Sequence, residues 1–211
     1  AFASFKGEKY TAIGTSQGLF LYYGEAFYDI TPLDTAIAGA TFDTVDGSAT
    51  VTVNSTAHGL DVGRYLTFTS VVTPNGFSSS STFTDTAFEV LSVPNDNEFT
   101  IQTPIAAGAG ASSGTGSATI NPYVIVGPTI QTVGYGWGTY LWGNSTWGTE
   151  RPTSNVTLAP GNWSLDNFGE VLVATIFNGK TFTWDAGAVN PRSIRASQST
   201  TNFNTTNNPT A

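Results

Sequence analysis

Gly, Asn, Pro and Asp interrupt this chain every 8–12 residues, and the runs between them are rich in strand formers. That punctuation restricts the fold more than any other feature, because an amphipathic helix needs a longer uninterrupted periodic run. Thr supplies about one residue in six. Thr, Val, Ile and aromatic side chains fit a pleated, half-buried surface. Short strands at this spacing predict an all-β protein.

The chain can fill a core. It holds 14 Phe, 8 Tyr and 5 Trp in 211 residues, while only 10% of its residues are charged. A buried aromatic hides about 150–250 Å², so the low charge does not imply disorder. No window approaches 18 consecutive apolar residues, and no membrane-spanning segment is expected. The first ten residues carry Lys6, Glu8 and Lys9 and lack the apolar stretch of a signal peptide. A net charge of −8 disfavours wrapping nucleic acid on a basic face. Without cysteine there is no disulfide frame and no thiolate metal site. The chain has no Met and opens on Ala1, which leads to the expectation that it is a segment of a longer polypeptide.

Three segments and a tail follow from composition. Residues 1–35 read as a meander: a strand ending at Ala12-Ile13-Gly14, a turn at Ser16-Gln17-Gly18, a strand Leu19–Tyr23, a turn Gly24-Glu25 and a strand Phe27–Ile30. Such a meander is the unit of a propeller blade. Residues 36–120 are acidic and read as a small β-sandwich or barrel. Strands are expected at Thr50–Val53, Tyr65–Thr69, Phe88–Val93 and Glu98–Gln102, and a mobile low-complexity loop at Ala106–Ser117. Residues 121–195 return to the first style, with strands at Tyr123–Val126, Val156–Leu158, Trp163–Leu165, Glu170–Thr175 and Thr181–Trp184. Asp166–Gly169 and Asn178-Gly179 read as turns. Residues 196–211 are Ser-, Thr- and Asn-rich and read as a linker or disordered tail.

No catalytic constellation emerges. His58 is the single histidine, set in Ala57-His58-Gly59-Leu60, and reads as a hydrogen-bonded turn residue. The carboxylate pairs Asp43/Asp46 and Asp96/Glu98 lack the spacing of a calcium loop and read as turn chemistry. No phosphate-binding loop is present. Asn-x-Ser/Thr sequons begin at Asn54, Asn144, Asn155, Asn162 and Asn204, as an Asn- and Thr-rich chain produces by chance. No catalytic residue, cofactor or metal is assigned, and the chain is expected not to be an enzyme. One run stands out: Gly134 to Thr149 repeats Trp-Gly at Trp137, Trp142 and Trp147, with Tyr135 and Tyr140 between. These five aromatics are the candidate packing or ligand-contact residues. A spacing of five sends successive Trp side chains to opposite faces of an extended strand, which favours packing over a one-sided stacking platform.

Two stretches carry a family resemblance. Ala12-Ile13-Gly14-Thr15, Gly18–Tyr22 and Tyr28–Leu33 form the first; Gly134–Gly138, Trp147-Gly148-Thr149, Trp163–Ala174 and Phe182–Asp185 form the second. Together they resemble the tail nozzle (tail tubular, tail hub) structural proteins of short-tailed bacteriophages. The middle, with Ala57–Leu60, Val62–Phe68, Phe88–Val90 and Phe99–Ile101, resembles a small β domain often inserted in phage virion proteins. The resemblance implies propeller-like antiparallel blades, in part, with an inserted small β domain. One departure lies at Ile176–Lys180, where family members often carry a basic Pro-Arg-Gly-Gly turn. About 125 residues outside the middle domain would supply about three blades.

The function so implied is mechanical: a virion tail protein that joins copies of itself in a ring, contacts portal, adaptor or other tail proteins, and passes genomic DNA without sequence-specific binding. Negative charge suits the wall of a DNA channel, since it repels a polyanion. The middle domain is expected to project outward as a tolerated loop insertion. The alternatives are a virion-surface host-recognition or carbohydrate-binding module, which requires Trp137, Trp142 or Trp147 to be solvent-exposed, and a capsid decoration protein.

Overall fold

The computed structural model describes residues 2–3, 8–84, 86–126, 161–177, 179–187 and 195–198. In chain order its strands are β1 (Phe2–Ala3), β2 (Lys9–Gly14), β3 (Leu19–Tyr23), β4 (Ala26–Asp29), β5 (Ile37–Asp43), β6 (Thr50–Asn54) and β7 (Tyr65–Val72). A single helical turn, α1 (Ser81–Thr84), follows. Then come β8 (Phe88–Glu89), β9 (Ser92–Asn95), β10 (Glu98–Gln102), β11 (Thr115–Pro122), β12 (Trp163–Phe168), β13 (Val171–Ile176), β14 (Thr181–Asp185) and β15 (Ser197–Gln198). The protein is all-β. It divides into two compact units, residues 31–124 and residues 1–30 with 125–211.

The 31–124 unit is a curled seven-stranded antiparallel sheet in the order β8-β7-β11-β5-β6-β10-β9. Its two edge strands are separated in sequence by Val90 and Leu91 alone. A sheet whose opposite edges are joined by two residues has to curl until those edges meet. The backbone bonds at the joint show this: Val90 N–H donates to Arg64 O at 2.9 Å, and Leu91 N–H to Thr100 O at 2.9 Å. Residues 88–95 therefore act as one bent strand that faces β7 with its first half and β10 with its second.

The interior follows from the period-2 alternation of side chains. Each of six strand positions around the curl sends two residues inward: Ala40 and Phe42, Val51 and Val53, Leu66 and Phe68, Phe88 and Val90, Phe99 and Ile101, Ala118 and Ile120. All twelve are at most 4% exposed. The connector after β7 carries α1, whose Phe83 is fully buried against Phe42, Phe68, Phe77 and Phe88 at ring-centroid distances of 5.0–6.3 Å. The connector before β7 contributes Leu60, 4% exposed. The incoming and outgoing chains run side by side: Asp34 N–H donates to Pro122 O, Val124 N–H donates to Pro32 O, and Leu33 bridges Tyr123. Arg64 ties them, its Nε donating to Tyr123 O at 3.2 Å and its Nη2 meeting Asp34 Oδ2 at 2.8 Å.

The other unit holds two four-stranded antiparallel meanders, β1-β2-β3-β4 and β12-β13-β14-β15. Each is propeller-like in its up-and-down order. Gly24 and Glu25 link β3 to β4 with φ of 56° and 64°, the twin left-handed conformation of a type I′ hairpin turn.

Several expectations shift. Phe88–Val93 is two short strands rather than one, because the chain changes sheet edge at Val90-Leu91. The expected turn Asp166–Gly169 lies later, at Gly169-Glu170, since β12 runs through Phe168. Tyr123–Val126 makes one isolated bridge and no strand. The stretch expected to be a mobile loop, Ala106–Ser117, is tied down: Ala107 is 2% exposed and exchanges bonds with Ser48 and Gly47, Gly108 N–H donates to Gly76 O, and β11 begins at Thr115. Small residues are needed there, because Gly76 packs against Ala107 and Ala111. Val156–Leu158 lies outside the described residues.

Candidate functional site

Tyr135, Trp137, Tyr140, Trp142 and Trp147 all lie outside the described residues. The structure therefore brings forward other aromatic groups. The most elaborate arrangement joins the two meanders. Trp163 at the start of β12 lies on Gly14 at the end of β2, where an added Cβ would sit 2.6 Å from the Trp163 side chain. Its indole Nε1–H donates to Thr15 O at 3.0 Å, and its ring meets Phe182 at 6.1 Å. Tyr10 stacks on Tyr23 at 4.8 Å and meets the edge of Trp184 at 5.3 Å. Arg195 pairs with Asp29 at 3.2 Å, and Ala196 N–H donates to Ile30 O. Residues from both ends of the sequence thus clasp one another. Tyr10, Leu19, Leu21, Phe182 and Trp184 are at most 2% exposed.

The opposite face of the first meander breaks the usual pattern. A sheet with one face on a core normally turns polar residues outward. Here the register places Ile13, Phe20, Tyr22 and Phe27 on the outer face, beside Lys9, Thr11 and Asp29. Phe27 is 67% and Tyr22 39% exposed, and their rings lie 5.0 Å apart at 48°. The outer face of the second meander is more polar, with Ser164, Asp166, Thr175 and Thr183, but it also holds Val171, Val173 and a single exposed ring, Phe168, with no aromatic neighbour across its ladder. The exposed aromatic pair was not singled out by sequence reasoning; the signal available was the strand Leu19–Tyr23, apolar at every position and so unlike a strand with one solvated face.

His58 takes the structural role expected of it. It is 4% exposed, and its Nδ1 accepts the Leu60 N–H at 3.0 Å. Its ring meets Phe99 edge-on at 5.1 Å, and Nε2 has no hydrogen-bond partner. Of the carboxylates, Glu98 Oε2 accepts from Asn95 Nδ2 across the β9–β10 turn, while Asp43 Oδ1 accepts the N–H of the distant Gly114. The amide oxygen Asn97 Oδ1 accepts the Ala57 N–H. Among the described residues no group of three or more His, Cys, Asp or Glu could hold a metal ion. The Tyr65 hydroxyl donates to Glu89 at 3.2 Å. Burial raises its pKa above the usual phenol value, and the Glu89 charge and hydrogen bond add to the rise.

Charge is divided unevenly. The 31–124 unit carries eight acids and one base, a net of −7, and that base is the Arg64 already paired with Asp34. The other unit carries seven acids and six bases, a net of −1.

No family model matches the chain, and no curated protein matches it. Among solved structures, a phage phi92 endosialidase superposes on 90% of this chain with a TM-score of 0.31 and 17% sequence identity. The chain spans 29% of that protein's length. A likeness at that level bears on neither the fold family nor the activity of this chain.

Proposed function

We propose that this chain is a non-enzymatic structural protein of a tailed-bacteriophage virion and forms part of the tail nozzle that conducts DNA. The observation that carries this reading is the pair of four-stranded meanders clasped face to face through Trp163, Gly14, Tyr10 and Trp184. These meanders are built by the stretches 12–33 and 163–185, on which the resemblance to nozzle proteins rests. Blades that pack on aromatic and glycine contacts suit a ring that must hold its shape under pressure. The bridge between the incoming and outgoing chain at Leu33 and Tyr123 supports reading the acidic barrel as an insertion between blade segments.

Cryo-electron microscopy of the virion that contains this chain tests the proposal. A ring of copies on the tail axis is expected. Copies on peripheral fibres or on capsid facets would overturn it.

A further inference from the structure

We infer that the outer face of the first meander is a carbohydrate-binding surface, centred on Tyr22 and Phe27. This inference stands apart from the conduit reading and shares only Asp29 and its partner Arg195 with the clasp.

Four of the seven side chains that β2–β4 place on that face are apolar, and Tyr22 and Phe27, both exposed, are neighbouring rings across the β3–β4 ladder. Their planes are tilted by 48°, and Tyr22 stands two residues before the Gly24-Glu25 turn. Area decides between occupants. With a fully buried aromatic hiding about 150–250 Å², the exposed parts of the two rings offer roughly 160–260 Å². A stable protein partner covers about 800 Å² per side, several times what the two rings offer, so a second copy docked here would draw most of its contact from outside the aromatic pair. A face of this size matches one or two hexopyranose rings, whose C–H faces lie on aromatic rings while their hydroxyls stay wet.

Charge removes the other flat-ring ligand. Bases of single-stranded nucleic acid also stack on exposed aromatics, but their phosphates need a basic track. The face carries one cation, Lys9, against the Asp29 carboxylate, with Glu25 at its turn and the nearby guanidinium of Arg195 engaged by Asp29, so no row of bases runs along it. An uncharged, amphipathic ring fits that setting: the Thr11 and Tyr22 hydroxyls and the Asp29 carboxylate stand beside the rings as hydrogen-bonding groups. A single such site binds weakly. Repeated on an oligomer it gains by multivalency, as attachment to a polysaccharide-coated surface requires.

The test is saturation-transfer NMR of the full chain with maltohexaose, cellohexaose and a bacterial O-antigen polysaccharide. Transfer to sugar C–H protons from at least one of the three is expected. Phe27→Ala and Tyr22→Ala should each weaken it at least tenfold, while Phe27→Trp should preserve or strengthen it. Both positions are solvent-exposed, and an unchanged far-ultraviolet circular dichroism spectrum confirms that the variants fold. Absence of transfer from all three saccharides would overturn the inference, as would transfer that survives both alanine variants. Concentration-dependent self-association abolished by Phe27→Ala would also overturn it and assign the face to a second copy.

Discussion

His58 shows how one side chain substitutes for a local turn motif. Its Nδ1 accepts the N–H two residues on, as an Asn or Asp oxygen does in an Asx turn. That bond makes Nε2 the protonated nitrogen of the neutral ring, and Nε2 points into a buried site against Phe99. His58→Ala leaves the Leu60 N–H unpaired and should cost about 1–3 kcal/mol. His58→Asn retains an acceptor at the right spacing and should cost less. Urea denaturation of the two variants checks this; equal losses would mean that packing on Phe99, and not the bond, is what matters. Glu25 makes the reverse case. It sits at φ 64°, a conformation that costs a side-chain-bearing residue about 1–2 kcal/mol. Glu25→Gly relieves this at a cost in unfolded-state entropy of about 0.4–1 kcal/mol. A net gain of up to about 1 kcal/mol is expected in the same denaturation assay, and destabilisation would refute the strain assigned to that turn.

At the scale of elements, the strands whose fate is local were legible in the sequence, and those decided by distant partners were not. Leu19–Tyr23 and Glu98–Gln102 are bounded by turn residues on both sides and fall where the pattern puts them. β5 and β11 were missed because each mixes Ala, Gly and other small residues among its strand formers. Each is held by a partner strand on both sides, and Gly116, at φ 66° with Val72 O close by, is required there. The helical turn α1 is likewise set by Phe83 filling the barrel and not by Ser-Thr-Phe-Thr itself. The clasp was half legible: Trp163 and Gly14 stand out as residues, but their meeting spans 149 positions of sequence and needs the fold. Gly14→Ala should therefore destabilise by about 1–3 kcal/mol through overpacking against Trp163. The pair Tyr65–Glu89, on adjacent strands β7 and β8, gives a pH signature. A phenol whose folded pKa is raised stabilises the fold fully below the unfolded value near 10, and that contribution is lost as pH rises through the folded value. In an alkaline titration followed at 295 nm, Glu89→Gln should let Tyr65 ionise earlier. Burial would keep it above an ordinary tyrosine, and a titration unchanged by the substitution would remove Glu89 from the account.

For the whole molecule, the uneven charge makes the two units respond differently to salt. The barrel carries a net −7 in 94 residues, with its lone base already paired, so self-repulsion opposes its compact state. The other unit is near neutral, and its clasp is built of ring contacts and hydrogen bonds with one ion pair, Arg195–Asp29. Salt shortens the Debye length from about 30 Å at 0.01 M to about 8 Å at 0.15 M, which screens the barrel's acids from one another and leaves the aromatic clasp little affected. Calorimetry of the full chain should then resolve two transitions, one rising in temperature with added sodium chloride and one nearly fixed. Phe83→Ala identifies the first. Removing a fully buried ring costs about 3–5 kcal/mol, and in a unit of this size each kcal/mol lowers the midpoint by about 4–8 °C. The salt-sensitive transition should fall by at least about 10 °C while the other stays in place. A single transition that moves as one body would mean that the barrel and the meanders share their stability, and an insertion so coupled would transmit force to the blades where an independent one would leave them undisturbed.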